Sequence, residues 1–173
     1  PFTPMDKPIE GSFSIDPAVY KDDDGEYYMY FGGIWGGQLQ RWRNGVFNSN
    51  NPTSPTAFLP NDDEPALLPF IAKMSDDLLE FAEKPREVQI LDERGKLLLA
   101  GDNERRFFEA AWVHKYNGKY YFSYSTGDTH FICYAIGESP YGPFTYKGKI
   151  LNPVVGWTSH HSICEFKDKW YLF

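Results

Sequence analysis

Three features of this chain predict an all-β fold of the propeller kind. The first is repetition. One phrase occurs three times: a strand headed by a carboxylate or its stand-in, a tight polar turn, then an aromatic strand. The copies run from 15–21 through Gly25 to 27–31, from 108–115 through Gly118 to 120–122, and from 161–167 to 170–173. A unit recurring at blade-like intervals points to a radial or stacked architecture. The second feature is the 18% aromatic content, with 12 Tyr and 14 Phe, which suits pleated strands. The third is the spread of 15 Gly and 13 Pro along the chain, as short strands joined by turns require.

Taken in order, Pro1-Phe2-Thr3 reads as the last strand of a preceding blade. The same Pro-Phe-Thr phrase recurs at 143–145, and Phe2 precedes Asp16 by 14 residues where Phe144 precedes Ser162 by 18. Residues 16–31 read as two strands around the turn Lys21-Asp22-Asp23-Asp24-Gly25, where Gly takes positive φ and Asp side chains bond nearby backbone. Residues 48–66 are rich in Asn, Pro, Ser and Asp and read as a long surface excursion. Ser75 is placed to cap a single helical turn, which Pro85 closes off. Asn117-Gly118 marks the second hairpin and Lys167-Asp168-Lys169 the third, and the chain ends at Phe173 in mid-strand. The expectation is an interior piece of a larger propeller.

The formal charge of −7, with no Lys/Arg block, argues against nucleic acid and anionic membrane as partners and leaves a neutral substrate unopposed. The apolar stretches fall short of the ~20 residues a membrane-spanning helix needs. Cys133 and Cys164 both lie in apolar strand patterns and are read as buried free thiols in preference to a disulfide. Their spacing offers no metal knuckle.

The chemistry gathers at the heads of the repeated strands. Asp16 precedes Pro17, in a residue class that strands disfavour. Alone, it is better read as a turn residue satisfied by backbone amides. Glu109 lies between Phe107-Phe108 and Ala110-Ala111-Trp112. Burial there raises a carboxyl pKa, as a general acid near neutral pH requires, while the alternative is pairing with Arg105 or Arg106 at a strand edge. The two acids occupy equivalent places in successive copies, and inner-strand heads of a propeller converge on its axis. Two carboxylates converging on an axial pocket form the constellation for glycosidic bond cleavage. His160 and His161 are adjacent, so on a strand they face opposite ways. Trp35, within Gly32-Gly33-Ile34-Trp35-Gly36-Gly37, is open to stacking on a sugar face or to core packing, and its glycines lack phosphate-loop spacing.

On Ser14-Ile15-Asp16-Pro17, Phe108-Glu109-Ala110-Ala111 and Ser159-His160-His161-Ser162-Ile163, each with its hairpin, the chain resembles glycoside hydrolase family 43 along essentially its whole length. The resemblance implies part of a five-bladed β-propeller, about three blades of it, with residues 1–173 holding the end of the first blade, the second and third, and the start of the fourth. It implies an inverting enzyme that removes terminal β-1,4-linked xylose from xylo-oligosaccharides or arabinoxylan. The alternatives are an α-L-arabinofuranosidase on the same scaffold and a non-catalytic sugar-binding propeller fragment. Glu109 matches the general acid and Asp16 the carboxylate that tunes its pKa. The family's general base lies upstream of Asp16, and none is expected in this chain, since Asp6 and Glu10 fall in a connecting segment. His160, or His161 if the match is displaced by one, corresponds to the axial His near a calcium ion or ordered water. Unpaired strand edges at both ends would be completed by a further chain segment or by a second copy.

Overall fold

A computed structural model describes residues 3–50, 54, 56–127, 129–155 and 159–173. Eleven strands and two short 3₁₀ turns, Trp35–Gly37 and Leu39–Trp42, make up its regular structure. Strands β1 (Ala18–Lys21), β2 (Tyr27–Phe31), β3 (Phe70–Lys73) and β4 (Arg86–Glu87) form one antiparallel sheet in chain order. A second sheet combines β5 (Ile90–Leu91), β6 (Phe107–Tyr116), β7 (Lys119–Thr126), β8 (Ile132–Gly137) and β9 (Phe144–Leu151) in the order β5-β9-β8-β7-β6. Here β5 runs parallel to β9, and every other pairing in the sheet is antiparallel. A third element is the hairpin of β10 (Ile163–Phe166) and β11 (Lys169–Leu172).

Three hairpins turn on residues with positive φ: Gly25 between β1 and β2, Asn117 and Gly118 between β6 and β7, and Asp168, together with Lys167, between β10 and β11. Between the two large sheets lies an aromatic core. Tyr30 of the first sheet meets Phe122 of the second at 6.0 Å between ring centroids, and Phe122 packs in turn on Phe107, Tyr124 and Phe144. All five are at most 1% exposed. At about 1.5–3 kcal/mol for each fully buried large side chain, this layer fixes the mutual placement of β2 and β7.

A polar clamp closes the opposite end of the same interface. Asp22, in the β1–β2 turn, accepts hydrogen bonds from Tyr120 at 2.5 Å, the Asp23 amide at 2.8 Å, Lys115 at 3.1 Å and Tyr20 at 3.2 Å. Burial pushes the Asp22 pKa up, but these four donors, led by Tyr120, outweigh it and hold the carboxyl below its ordinary value. Lys115 also reaches Asp23 at 2.8 Å. Strand β1 is thereby tied to β6 and β7.

Two expectations are corrected here. Ser75 does not cap a helical turn. Its Oγ donates to Asp77 at 2.7 Å and accepts from the Glu80 amide at 3.2 Å, while Met74 and Phe81 form an antiparallel bridge. Ser and Asp side chains compete for backbone groups in this way, so residues 75–80 close as a hairpin loop. Cys133 is buried, with its thiol pushed up to about 11 by burial, but Cys164 is exposed on β10; both are free. Inward and outward positions on a lone hairpin cannot be told apart from an apolar run. The strand expected at Pro1-Phe2-Thr3 begins on residues that lie outside the described ones.

Candidate active site

The heads of β1 and β6 meet. Asp16 adopts φ 56°, a left-handed conformation that Asp tolerates better than most residues, and its Oδ2 accepts the Ala110 N–H at 3.1 Å. Glu109 sits on an irregular stretch of β6, with the pairing to β7 shifting register on both sides of it. Ala110 follows with φ 60°. A bulge of this kind re-aims one side chain out of the ladder, and left-handed non-glycine residues gather at sites where geometry is over-determined.

Residues 32–37 are stitched between these strand heads. Gly32 donates to the Ile15 carbonyl at 2.9 Å, and Ile34 donates to the Phe108 carbonyl at 3.0 Å. Ser14 Oγ accepts the Gly33 N–H at 3.0 Å and donates to the Gly37 carbonyl at 2.7 Å. A Cβ on Gly33 would stand 2.6 Å from the Ile15 side chain, so only glycine allows this approach, and the same position lies 3.4 Å from Glu109 Cβ. Gly33 and Gly37 therefore serve close packing on Ile15 beside the two acids, while Gly36 has open space around it. Trp35 itself is 39% exposed and stands edge-on to Phe108, 5.7 Å between centroids. Beside it opens a cavity of about 170 Å³ whose lining includes Trp35, Leu67, Asp62 and Asn103.

The electrostatics of the pair are asymmetric. Burial raises the Glu109 pKa, and the nearby Asp16 carboxylate raises it further. A carboxyl held protonated into a higher pH range beside a second carboxylate has the properties of a general acid. Of the strand-edge partners considered for Glu109, Arg105 is engaged by Asp102 at 2.6 Å and Glu93 at 3.3 Å. Arg106 is held by the Ala100 carbonyl and the Asn103 side chain.

His160 and His161 diverge. The His160 side chain is exposed, with Nε2 3.7 Å from Asp16 Oδ1. His161 is buried, its Nε2 sits 2.6 Å from Ser123 Oγ, and burial, followed by the nearness of His160 and His114, pushes its pKa down to about 4. Calcium takes 6–8 oxygen ligands. Among the described residues no group of three or more His, Cys, Asp or Glu side chains is arranged to hold a metal ion, and Asp16, whose Oδ2 is already occupied by the Ala110 amide, is the only carboxylate in ion-pair contact with His160. Protein side chains among the described residues therefore do not by themselves complete a calcium cage at His160, and an ion there would take most of its oxygen ligands from water or from the rest of the protein. Sequence reasoning missed Ser14 and the Ala110 amide. A serine before Ile-Asp-Pro carries no mark of its role, and a backbone donor carries none at all.

No family model matches the chain. It is 65% identical over its whole length to a xylosidase/arabinosidase of Bacteroides ovatus, and 61% identical to a β-xylosidase of Xylanibacter ruminicola. Among solved structures, a family 43 β-xylosidase/α-arabinofuranosidase from a compost metagenome, in complex with xylotriose in a calcium-free form, superposes with a TM-score of 0.94 at 66% identity over 99% of the chain. The chain belongs to glycoside hydrolase family 43. Its fold is accordingly part of a five-bladed β-propeller. This family 43 chain spans about half the length of its relatives, 51% and 52% of the two curated proteins and 52% of the solved chain.

Proposed function

We propose that the complete protein removes terminal β-1,4-linked xylose from xylo-oligosaccharides with inversion, and that Glu109 is its general acid. Supporting this most directly is the Asp16–Glu109 pair: a half-buried carboxyl whose pKa is raised by burial and by a neighbouring carboxylate, which the Ala110 amide holds in place. Glu109 gives its proton to the departing glycosidic oxygen as the bond to the anomeric carbon breaks. Asp16, beside it, raises the acid's pKa and orients it. Water attacks the opposite face of the sugar, activated by a carboxylate that inverting enzymes place roughly 6.5–9.5 Å from the acid. We assign that base to a part of the protein outside these 173 residues, in keeping with a chain half as long as its relatives. Trp35, exposed and braced on Phe108, stacks on a pentose ring beside the cavity it lines.

The names of the relatives join xylosidase to arabinosidase, and the two pentoses demand similar pockets. Release of xylose against arabinose from arabinoxylan oligosaccharides by the complete protein separates the two activities. Turnover of 4-nitrophenyl β-D-xylopyranoside exceeding that of the α-L-arabinofuranoside is expected. The reverse preference replaces the main reading with the arabinofuranosidase, and turnover of neither leaves a sugar-binding propeller.

A further inference from the structure

Ser123 and Ser125 lie in the middle of β7, between Phe122, Tyr124 and Thr126, and all five residues are fully buried. Successive strand side chains point to opposite faces, so the two serines share one face while Phe122 and Tyr124 fill the aromatic core on the other. A buried hydroxyl without a partner costs about 1–3 kcal/mol, and the strand ladder cannot supply one. Both serines find partners in the same short segment. Ser123 Oγ stands 2.6 Å from His161 Nε2, and Ser125 Oγ 3.0 Å from Ser159 Oγ, with Ser159 also reaching the His130 carbonyl at 3.0 Å.

The spacing matters. Two serines two residues apart hold two residues that are also two apart, so the residue between them, His160, faces away from β7. That direction brings its Nε2 to 3.7 Å from Asp16 Oδ1. Ser125 is in addition the cross-strand partner of Glu109. The serine row thus borders the acid directly and reaches Asp16 through His160.

We propose that Ser123 and Ser125 are positioning residues for the acid pair: they dock residues 159–161 on β7 so that His160 limits the rotation of the Asp16 carboxylate. The role rests on the glycosidase reading above, but the placement itself can be tested apart from activity. In the complete protein, Ser123→Ala combined with Ser125→Ala is expected to lower kcat on 4-nitrophenyl β-D-xylopyranoside by about 10- to 100-fold while KM changes by less than about threefold, the mark of misaligned catalytic groups. The loss should be non-additive with that of His160→Ala, since both variants act through one contact. Ser123→Thr, which keeps the hydroxyl, should restore much of the rate. A crystal structure of the double variant should find His160 displaced from ion-pair range of Asp16. Losses that add fully to those of His160→Ala, or a His160 unmoved beside Asp16, would overturn the proposal. If the double variant does not fold, each single alanine variant gives the same two readouts. If the wild-type protein hydrolyses no pentoside, the glycosidase reading fails, and the position of His160 in the crystal decides the docking role by itself.

Discussion

Replacing Asp22 with Ala tests how the first two sheets are held together. The change removes the acceptor shared by Tyr120, Tyr20, Lys115 and the Asp23 amide, and Asp22 is only 8% exposed. Breaking a buried, hydrogen-bonded ion pair from one side costs about 3–5 kcal/mol. Lys115 remains partly exposed and keeps Asp23 at 2.8 Å, which lowers the expectation to about 2–3 kcal/mol. Urea unfolding of the complete protein, with and without Asp22→Ala, measures it. The pH dependence fixes the cause. Because the folded pKa of Asp22 is depressed, its contribution is present above the unfolded value of about 3.9 and is lost as pH falls through the folded one. The gap between wild type and variant should therefore narrow below about pH 4. Asp22→Ala and Lys115→Met should also be non-additive. A destabilisation under about 0.5 kcal/mol at pH 7, within the range of ordinary surface changes, would refute the clamp.

Three further outcomes follow from the same structure. His161 is held neutral with a folded pKa of about 4 against an ordinary value of 6.5, so its contribution is full above pH 6.5 and is lost as pH falls toward 4; at about 1.4 kcal/mol per pKa unit this is roughly 3 kcal/mol, and His161→Gln should flatten that acid slope in unfolding measurements. Phe122→Ala empties the centre of the aromatic layer and should cost about 3–5 kcal/mol in urea unfolding. Glu109→Gln should lower xyloside hydrolysis by about 10²–10⁴-fold. The folded pKa of Glu109 is raised, so its contribution to stability is full below the unfolded value of about 4.3 and is lost as pH rises through the folded one; the Gln variant should accordingly be at least as stable as wild type at pH 7 by thermal unfolding.

The hairpins were legible because their turns are written in residues with distinct conformational chemistry: Gly25, Asn117-Gly118 and Asp168 stand where positive φ is needed. The juxtaposition of Asp16 and Glu109 was legible for another reason. Both head the first strand of a repeated unit, so the repeat carried a long-range relation that local pattern could not. What escaped reading depends on neighbours far along the chain. The parallel addition of Ile90–Leu91 to β9 leaves no mark in two residues. Leu39–Trp42 folds as a 3₁₀ turn under packing around the strand heads, where periodicity predicts nothing. Serine is a neutral strand residue by composition, and only the approach of residues 159–161 gives Ser123 and Ser125 their bonds.

The most direct measurement is proton NMR of the first sugar released from 4-nitrophenyl β-D-xylopyranoside by the complete protein, in the wild type and in Glu109→Gln. The expected result is α-xylose from the wild type, before mutarotation, and almost none from the variant. Release of β-xylose, or undiminished turnover by Glu109→Gln, would contradict the assignment of Glu109 as the acid of an inverting pair.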